Sequence, residues 1–241
     1  MTPEIDMPYE EKIEQLIKER KAARSAAFVY VDNPNNPTGA AVGLPTLDRL
    51  AKATANGDIL IVDEAYGDSI GDFNSAFKLV EDYKHVAVIR SISKTVGLAS
   101  PRLGYMAMSK PLEKVYEEMR LVFVVDRLTQ VIAEKVLDPS LLAEFLPKVR
   151  ILTVEAKMQF INMLTENNIK IFETEPEVSI LLAQGGKDFY KKLFSLGIST
   201  EDGATFIPTH PDINNSYVRF RVPASEKDIS EVGRRIATIK K

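Results

Sequence analysis

Apolar positions follow two rhythms along the chain. In residues 8–24 (YEEKIEQLIKERKAARS), Ile13, Leu16 and Ile17 stand among charges, which predicts a weakly amphipathic helix with one solvated face. The run Ala26 to Val31 then reads as a strand. It ends in Asp32-Asn33-Pro34-Asn35-Asn36-Pro37-Thr38-Gly39, where Asn, Pro and Gly stop any regular element. Leu44 to Ala55 has a helical pattern, and Asp58 to Val62 (DILIV) is a short, almost wholly apolar strand. Val86–Arg90 and Gly104–Met108 read as two more strands. Buried strands alternating with helices over long connections predict a parallel sheet covered on both faces.

Beyond residue 110 the pattern changes. Pro111 to Leu137 reads as mostly helical. Ser140 to Asn167 reads as a second long helix, expected to kink or restart at Pro147, which cannot donate a backbone hydrogen bond. Ile169–Phe172, Val178–Ala183 and Tyr217–Val222 follow as strands, with helices over Asp188–Ser195 and Ser225–Ile239. Ser225 is the expected N-cap of the last helix, with Asp228 three residues on as a weaker stand-in for a capping-box Glu. The expected organisation is an α/β domain over residues 1–138, a connecting helix over 139–168 and a smaller C-terminal α+β domain over 169–241.

Composition narrows the function. The 241 residues carry 31 Lys+Arg against 34 Asp+Glu, a formal charge of −3 that offers no general basic field for nucleic acid. The absence of Cys rules out disulfides, thiolate metal sites and a Cys nucleophile. His85 and His210 stand alone with no metal-ligand spacing, so no metal site is expected. No apolar run reaches the roughly 18 to 20 residues of a membrane span, and the first residues lack the basic and apolar regions of a secretory signal. A soluble cytoplasmic protein is the expectation.

Candidate chemistry sits in three segments, each at or beside the C-terminal end of a predicted strand, where open α/β sheets bind ligands. They are the Asn33–Gly39 turn, Asp63-Glu64-Ala65-Tyr66 after DILIV, and Ser91-Ile92-Ser93-Lys94 after VAVIR, followed by Arg102-Leu103-Gly104-Tyr105. Singly, each has a plainer reading as a turn, a helix cap or a surface lysine. Together they bring a carboxylate, a phenol, an amide, an amine, hydroxyls and a guanidinium to one sheet edge. That inventory suits pyridoxal 5'-phosphate: a lysine forms a Schiff base, an acid keeps the pyridine nitrogen protonated and an Arg meets the phosphate.

The three blocks, with Ser91-Ile-Ser-Lys-Thr-Val-Gly-Leu-Ala-Ser-Pro-Arg-Leu-Gly-Tyr105 the longest, resemble the signatures of class I/II aminotransferases, and within them the histidinol-phosphate aminotransferase-like subgroup. The resemblance implies a fold-type I pyridoxal-phosphate transferase: a large domain with a mostly parallel sheet between helices, and a small C-terminal α+β domain. It also implies roles. Lys94 becomes the Schiff-base lysine and proton shuttle, and Asp63 the partner of the pyridine nitrogen. Asn36 and Tyr66 bind the cofactor's 3-oxygen; Ser91 and Arg102 bind its phosphate, with Ser93 beside them. Asn215-Ser-Tyr-Val-Arg-Phe-Arg-Val222 resembles the block whose Arg grips a substrate α-carboxylate. Register favours Arg219, with Arg221 second on the same strand face.

The resemblance further implies a homodimer acting on an amino acid and a 2-oxo acid, without nucleic acid or membrane. Two departures qualify it. Family members carry a substrate-covering arm, a phosphate loop and a tyrosine reaching the neighbouring subunit before the matched region, and no counterpart precedes Phe28 here. The expectation is therefore a large domain lacking its N-terminal part. The stretch Arg120 to Gln130 lacks the proline of the histidinol-phosphate branch, and Ser199 and Thr200 stand where that branch has an arginine, so other amino acids remain open as substrates. Two alternatives keep the fold: a pyridoxal-phosphate decarboxylase or lyase, and a truncated binding module without catalysis.

Overall fold

The computed structural model describes residues 6–71, 74–121, 125–206 and 216–239. His210, Asn215 and residues 122–124 of the Arg120–Gln130 stretch lie outside these. The chain separates into two compact units. One comprises residues 1–35 and 41–148, the other residues 36–40 and 149–241.

The first unit is built on a four-stranded sheet in the order β1 (Phe28–Asp32), β2 (Ile59–Asp63), β3 (Val86–Ser91), β4 (Gly104–Met108). β1, β2 and β3 run parallel, in a register that sets Asp32 beside Asp63 and Asp63 beside Ile89. β4 runs antiparallel, pairing Ser91 with Gly104, so the sheet is mostly parallel, as expected, with one antiparallel edge strand. The reason is the connection: residues 92–103 form turns with no helix to carry the chain over the sheet, so the strand returns beside its predecessor. Val29, Val31, Leu60, Val62, Val86 and Val88 are buried, as are Leu47, Leu50 and Ala51 of α2 (Leu44–Ala53). α1 (Tyr9–Ala22) packs on α2 and buries Ile13 and Ile17. At the start of β2, the buried Asp58 takes two hydrogen bonds from Arg20, at 2.9 and 2.7 Å, and one from the Ala27 amide. Its carboxyl is held below the usual range first by those Arg20 bonds.

The mostly helical run expected over 111–137 holds two helices among the described residues, α4 (Lys110–Met119) and α5 (Arg127–Val136). Arg120 is extended, and the Asp126 carboxylate caps the second helix by accepting from the Thr129 amide at 3.0 Å.

The second unit carries an antiparallel sheet in the order β5 (Lys170–Ile171), β6 (Ile180–Gln184), β8 (Tyr217–Arg221), β7 (Glu201–Asp202). Residues 149–166 of α6 (Pro139–Glu166), with α7 (Phe189–Ser195) and α8 (Glu226–Ile236), complete it. Its core joins Phe160, Leu164, Leu181, Phe189, Leu193, Val218, Phe220 and Ile229, with Phe160 edge-on to Phe220 at 5.3 Å. Each such side chain contributes about 1.5–3 kcal/mol on burial. α6 runs unbroken through Pro147, so no restart occurs there; the division between units falls one residue later, after Lys148. Ser225 caps α8 as expected, accepting from the Asp228 amide at 3.1 Å.

Among the described residues, one cation lies inside this unit. Lys157 shares the buried stripe of α6 with Phe160 and Leu164 and is wholly inaccessible. Its Nζ donates to Thr174 Oγ1 (2.6 Å) and to the carbonyls of Glu175 (2.6 Å), Val178 (2.7 Å) and Ile180 (3.0 Å). Burial lowers its pKa to about 7, against the opposing charges of Glu175 and Glu177. Gly39 seats on the same loop. Its φ is +79°, and a Cβ there would meet Thr174 Oγ1 at 2.6 Å and the Ile180 carbonyl at 2.7 Å, so no other residue fits.

Candidate functional site

In the first unit the candidate residues follow the carboxyl ends of β2 and β3. Asp63 ends β2, and its Oδ1 accepts from the Ala65 amide at 2.8 Å, an Asx-type turn that starts the following loop. Its Oδ2 accepts from the Tyr30 hydroxyl. Tyr30 sits on the exposed face of β1, and its phenol pKa is raised first by partial burial and then by Asp63. Tyr66 is buried at the N-cap of α3 (Gly67–Ile70). Lys94 lies in the turn after β3 with Nζ 5.4 Å from the centre of the Tyr66 ring, within cation–π range. Carboxylate, phenol and amine thus come from neighbouring strand ends.

Two connections tie these loops. The Ser69 and Thr95 hydroxyls share a 2.8 Å hydrogen bond. Below them lies a buried ion pair that the sequence reading missed. Glu64, next to Asp63, accepts from Arg90 Nε and Nη2, both at 3.0 Å, and Arg90 is the residue before Ser91. Arg90 Nη1 reaches Asp68 at 2.7 Å, while Glu64 also accepts from Ser75 Oγ at 2.7 Å and the Ala76 amide at 2.6 Å. Burial opposes the Arg90 charge, but Glu64 and Asp68 outweigh it and hold the guanidinium firmly protonated. Gly67 leaves room for this pair, since a Cβ there would stand 2.8 Å from Glu64 Cβ and 3.2 Å from Arg90 Nε. The signal was present in sequence: a carboxylate following Asp63 and a cation closing an apolar strand are a plausible pair across adjacent parallel strands.

The expected phosphate group is arranged less compactly. Ser91 Oγ contacts the Leu103 carbonyl at 3.4 Å and accepts from the Ser93 amide at 3.1 Å, so both serines line the turn entering Lys94. Arg102 is exposed, has a left-handed backbone (φ 53°) and turns its Nη1 onto the Ala99 carbonyl at 3.0 Å.

In the second unit, Asn36 and Arg219 meet: Arg219 Nη1 donates to Asn36 Oδ1 at 2.7 Å. Arg219 Nη2 forms an ion pair with Glu201, its cross-strand partner on β7, and the guanidinium carbon lies 5.2 Å from the centre of the Phe206 ring. Its Nε is buried without a hydrogen-bond partner among the described residues. Arg221 is exposed on the same strand. Glu201 and Lys157 were not anticipated. The clue for Lys157 was its spacing, three residues before Phe160 and seven before Leu164 on one apolar stripe.

Among the described residues no helix is long and apolar enough to cross a membrane.

Comparison with known proteins gives a consistent result. The profile of the family described as aminotransferase class I and II matches residues 6–236. Histidinol-phosphate aminotransferase 2 of Bacillus thuringiensis subsp. konkukian is 29% identical over 166 residues, 68% of this chain and 44% of that protein. The solved histidinol-phosphate aminotransferase of Sinorhizobium meliloti, in complex with pyridoxal-5'-phosphate, superposes with a TM-score of 0.75 at 20% identity, covering 95% of this chain and 62% of that one. The L-threonine-O-3-phosphate decarboxylase of Porphyromonas gingivalis superposes with a TM-score of 0.74 at 17% identity, covering 88% and 64%. The chain therefore spans under half the length of the first relative and under two thirds of these two structures. The expected fold is observed: the chain has the fold-type I pyridoxal-phosphate enzyme architecture over the part it covers.

Proposed function

We propose, since the chain belongs to the class I and II aminotransferases, that it moves an amino group between an amino acid and a 2-oxo acid with pyridoxal 5'-phosphate as cofactor. The observation that carries this reading is the placement of Asp63, Tyr66 and Lys94 at neighbouring strand ends, with Lys94 Nζ 5.4 Å from the Tyr66 ring centre. This donor set fits the group chemically: an amine for its aldehyde, a carboxylate for its ring nitrogen and a phenol for its 3-oxygen.

When bound, the cofactor supplies an electron sink for the bonds at a substrate's Cα. The chain's own residues do the rest. Lys94 would hold the group through Nζ and then carry a proton to and from the substrate Cα. Asp63, fixed by the Ala65 amide and Tyr30, would face the ring nitrogen and favour its protonated form. Tyr66 would donate to the 3-oxygen, the role the resemblance also implies for Asn36. Ser91, Ser93 and Arg102 would take the phosphate, for which Arg102 must leave the Ala99 carbonyl. Arg219 would take the substrate carboxylate. A homodimer in the cytoplasm, and a histidinol-phosphate-type substrate, belong to the same proposal.

The test is direct. The chain is mixed with pyridoxal 5'-phosphate, reduced with borohydride and mapped by mass spectrometry, and amino transfer to 2-oxo acids is assayed in parallel. An adduct on Lys94 is expected, and Lys94→Ala should lower transfer by about a thousandfold or more. An adduct spread over other lysines, or an unchanged rate in Lys94→Ala, defeats the assignment. Release of carbon dioxide in place of a 2-oxo acid would transfer it to a decarboxylase.

A further inference from the structure

The surroundings of Arg219 point to a residue that governs how the proposed carboxylate site is filled. A guanidinium binds a carboxylate most completely along one edge, where Nε and Nη2 donate in parallel to its two oxygens. In this chain that edge is half used. Nη2 is engaged by Glu201, while Nε is buried with no hydrogen-bond partner among the described residues. Nη1 is engaged separately, by Asn36 Oδ1 at 2.7 Å.

The contact with Glu201 is built into the sheet. β7 and β8 pair antiparallel with Glu201 directly opposite Arg219, the cross-strand position at which opposite charges meet. The Asp202 side chain accepts from the Ala204 amide at 3.0 Å and fixes the turn that follows. Glu201 is 48% exposed at its side chain, whereas Arg219 is 16% exposed. The carboxylate can therefore swing into solvent while the arginine stays in place. A buried donor left unsatisfied is costly, and a bidentate ligand on this edge removes that cost where Glu201 does not.

We propose that Glu201 is a resident carboxylate on Arg219, displaced when the substrate's own carboxylate binds, and that it sets the affinity of that site. The proposal rests on Arg219 being the carboxylate ligand. The incoming group takes Nη2 from Glu201 and adds the bond to Nε, so exchange gains one hydrogen bond. Against that gain it must break an ion pair, which weakens binding relative to a site without Glu201.

Pyruvate, the simplest 2-oxo acid, is the probe, titrated calorimetrically into the full 241-residue chain at constant ionic strength. Glu201→Gln and Glu201→Ala should each tighten pyruvate binding about threefold to fivefold, the scale of a partly exposed ion pair. Arg219→Gln should abolish it. Thermal melts of each variant confirm that it is folded. Unchanged or weaker binding in both Glu201 variants, with binding lost in Arg219→Gln, overturns the role of Glu201 and leaves Arg219 as the carboxylate ligand. Binding in Arg219→Gln equal to wild type removes Arg219 from the site, and the role of Glu201 falls with it.

Discussion

Arg90 in the first unit and Arg219 in the second offer the same guanidinium to very different surroundings. Arg90 spends Nε and Nη2 on Glu64 and Nη1 on Asp68, and both it and Glu64 are buried. Arg219 has Glu201 on Nη2 and Asn36 on Nη1, with no partner for Nε among the described residues. The first is a closed set, suited to holding two loops in register. The second is an open set beside a half-exposed acid, suited to exchanging one partner for another. An arginine's role is thus read from its unfilled donors rather than from its burial.

The largest effect should come from breaking the closed set. Arg90→Met leaves Glu64 buried without its cation and should cost about 3–5 kcal/mol, read by denaturant unfolding. A cost below 1 kcal/mol would mean that the pair contributes little to the fold.

Lys157 extends the comparison to a cation met mainly by carbonyls. Its pKa is lowered from 10.5 to about 7 in the folded chain. Between those values the unfolded chain binds more protons, so this group makes stability rise with pH from about 7 to 10.5 and leaves it flat below. The slope is at most about 1.4 kcal/mol per pH unit. Lys157→Met should remove that slope and, by stranding its acceptors, cost about 2 kcal/mol near neutral pH. The same pH profile in wild type and variant would refute the shift.

The smallest effect tests the open set. Arg219→Gln should lower stability by about 1 kcal/mol or less, because its ion pair is partly solvated. A loss as large as that of Arg90→Met would make Arg219 a structural brace.

Much of this was legible in the chain. DILIV and VAVIR announced β2 and β3 because buried parallel strands read as continuous apolar runs. The candidate chemistry at their ends was legible only jointly, from three segments at one sheet edge and from their resemblance to a known family. Ser225 was readable as a cap because capping is local. Less legible were features decided by distant partners. The antiparallel return of β4 depends on a helix-free connection. β7 is two residues long and exists through its pairing with β8. The Glu64–Arg90 and Glu201–Arg219 pairs join residues 26 and 18 positions apart, and each charge alone reads as a solvated one.

Asn36–Ala40 belongs with residues 149–241, although the chain on either side of it belongs to the other unit. The polypeptide therefore passes between the units three times, after Asn35, after Ala40 and after Lys148. Neither unit is a single stretch of gene. A fragment begun at Val149 would lack the five residues that place Gly39 against Ile180 and Asn36 on Arg219. Shuffling this C-terminal half onto another large domain works only if the recipient carries its own matching Asn-Pro-Thr-Gly segment. For recombination the two units are therefore one inheritable module.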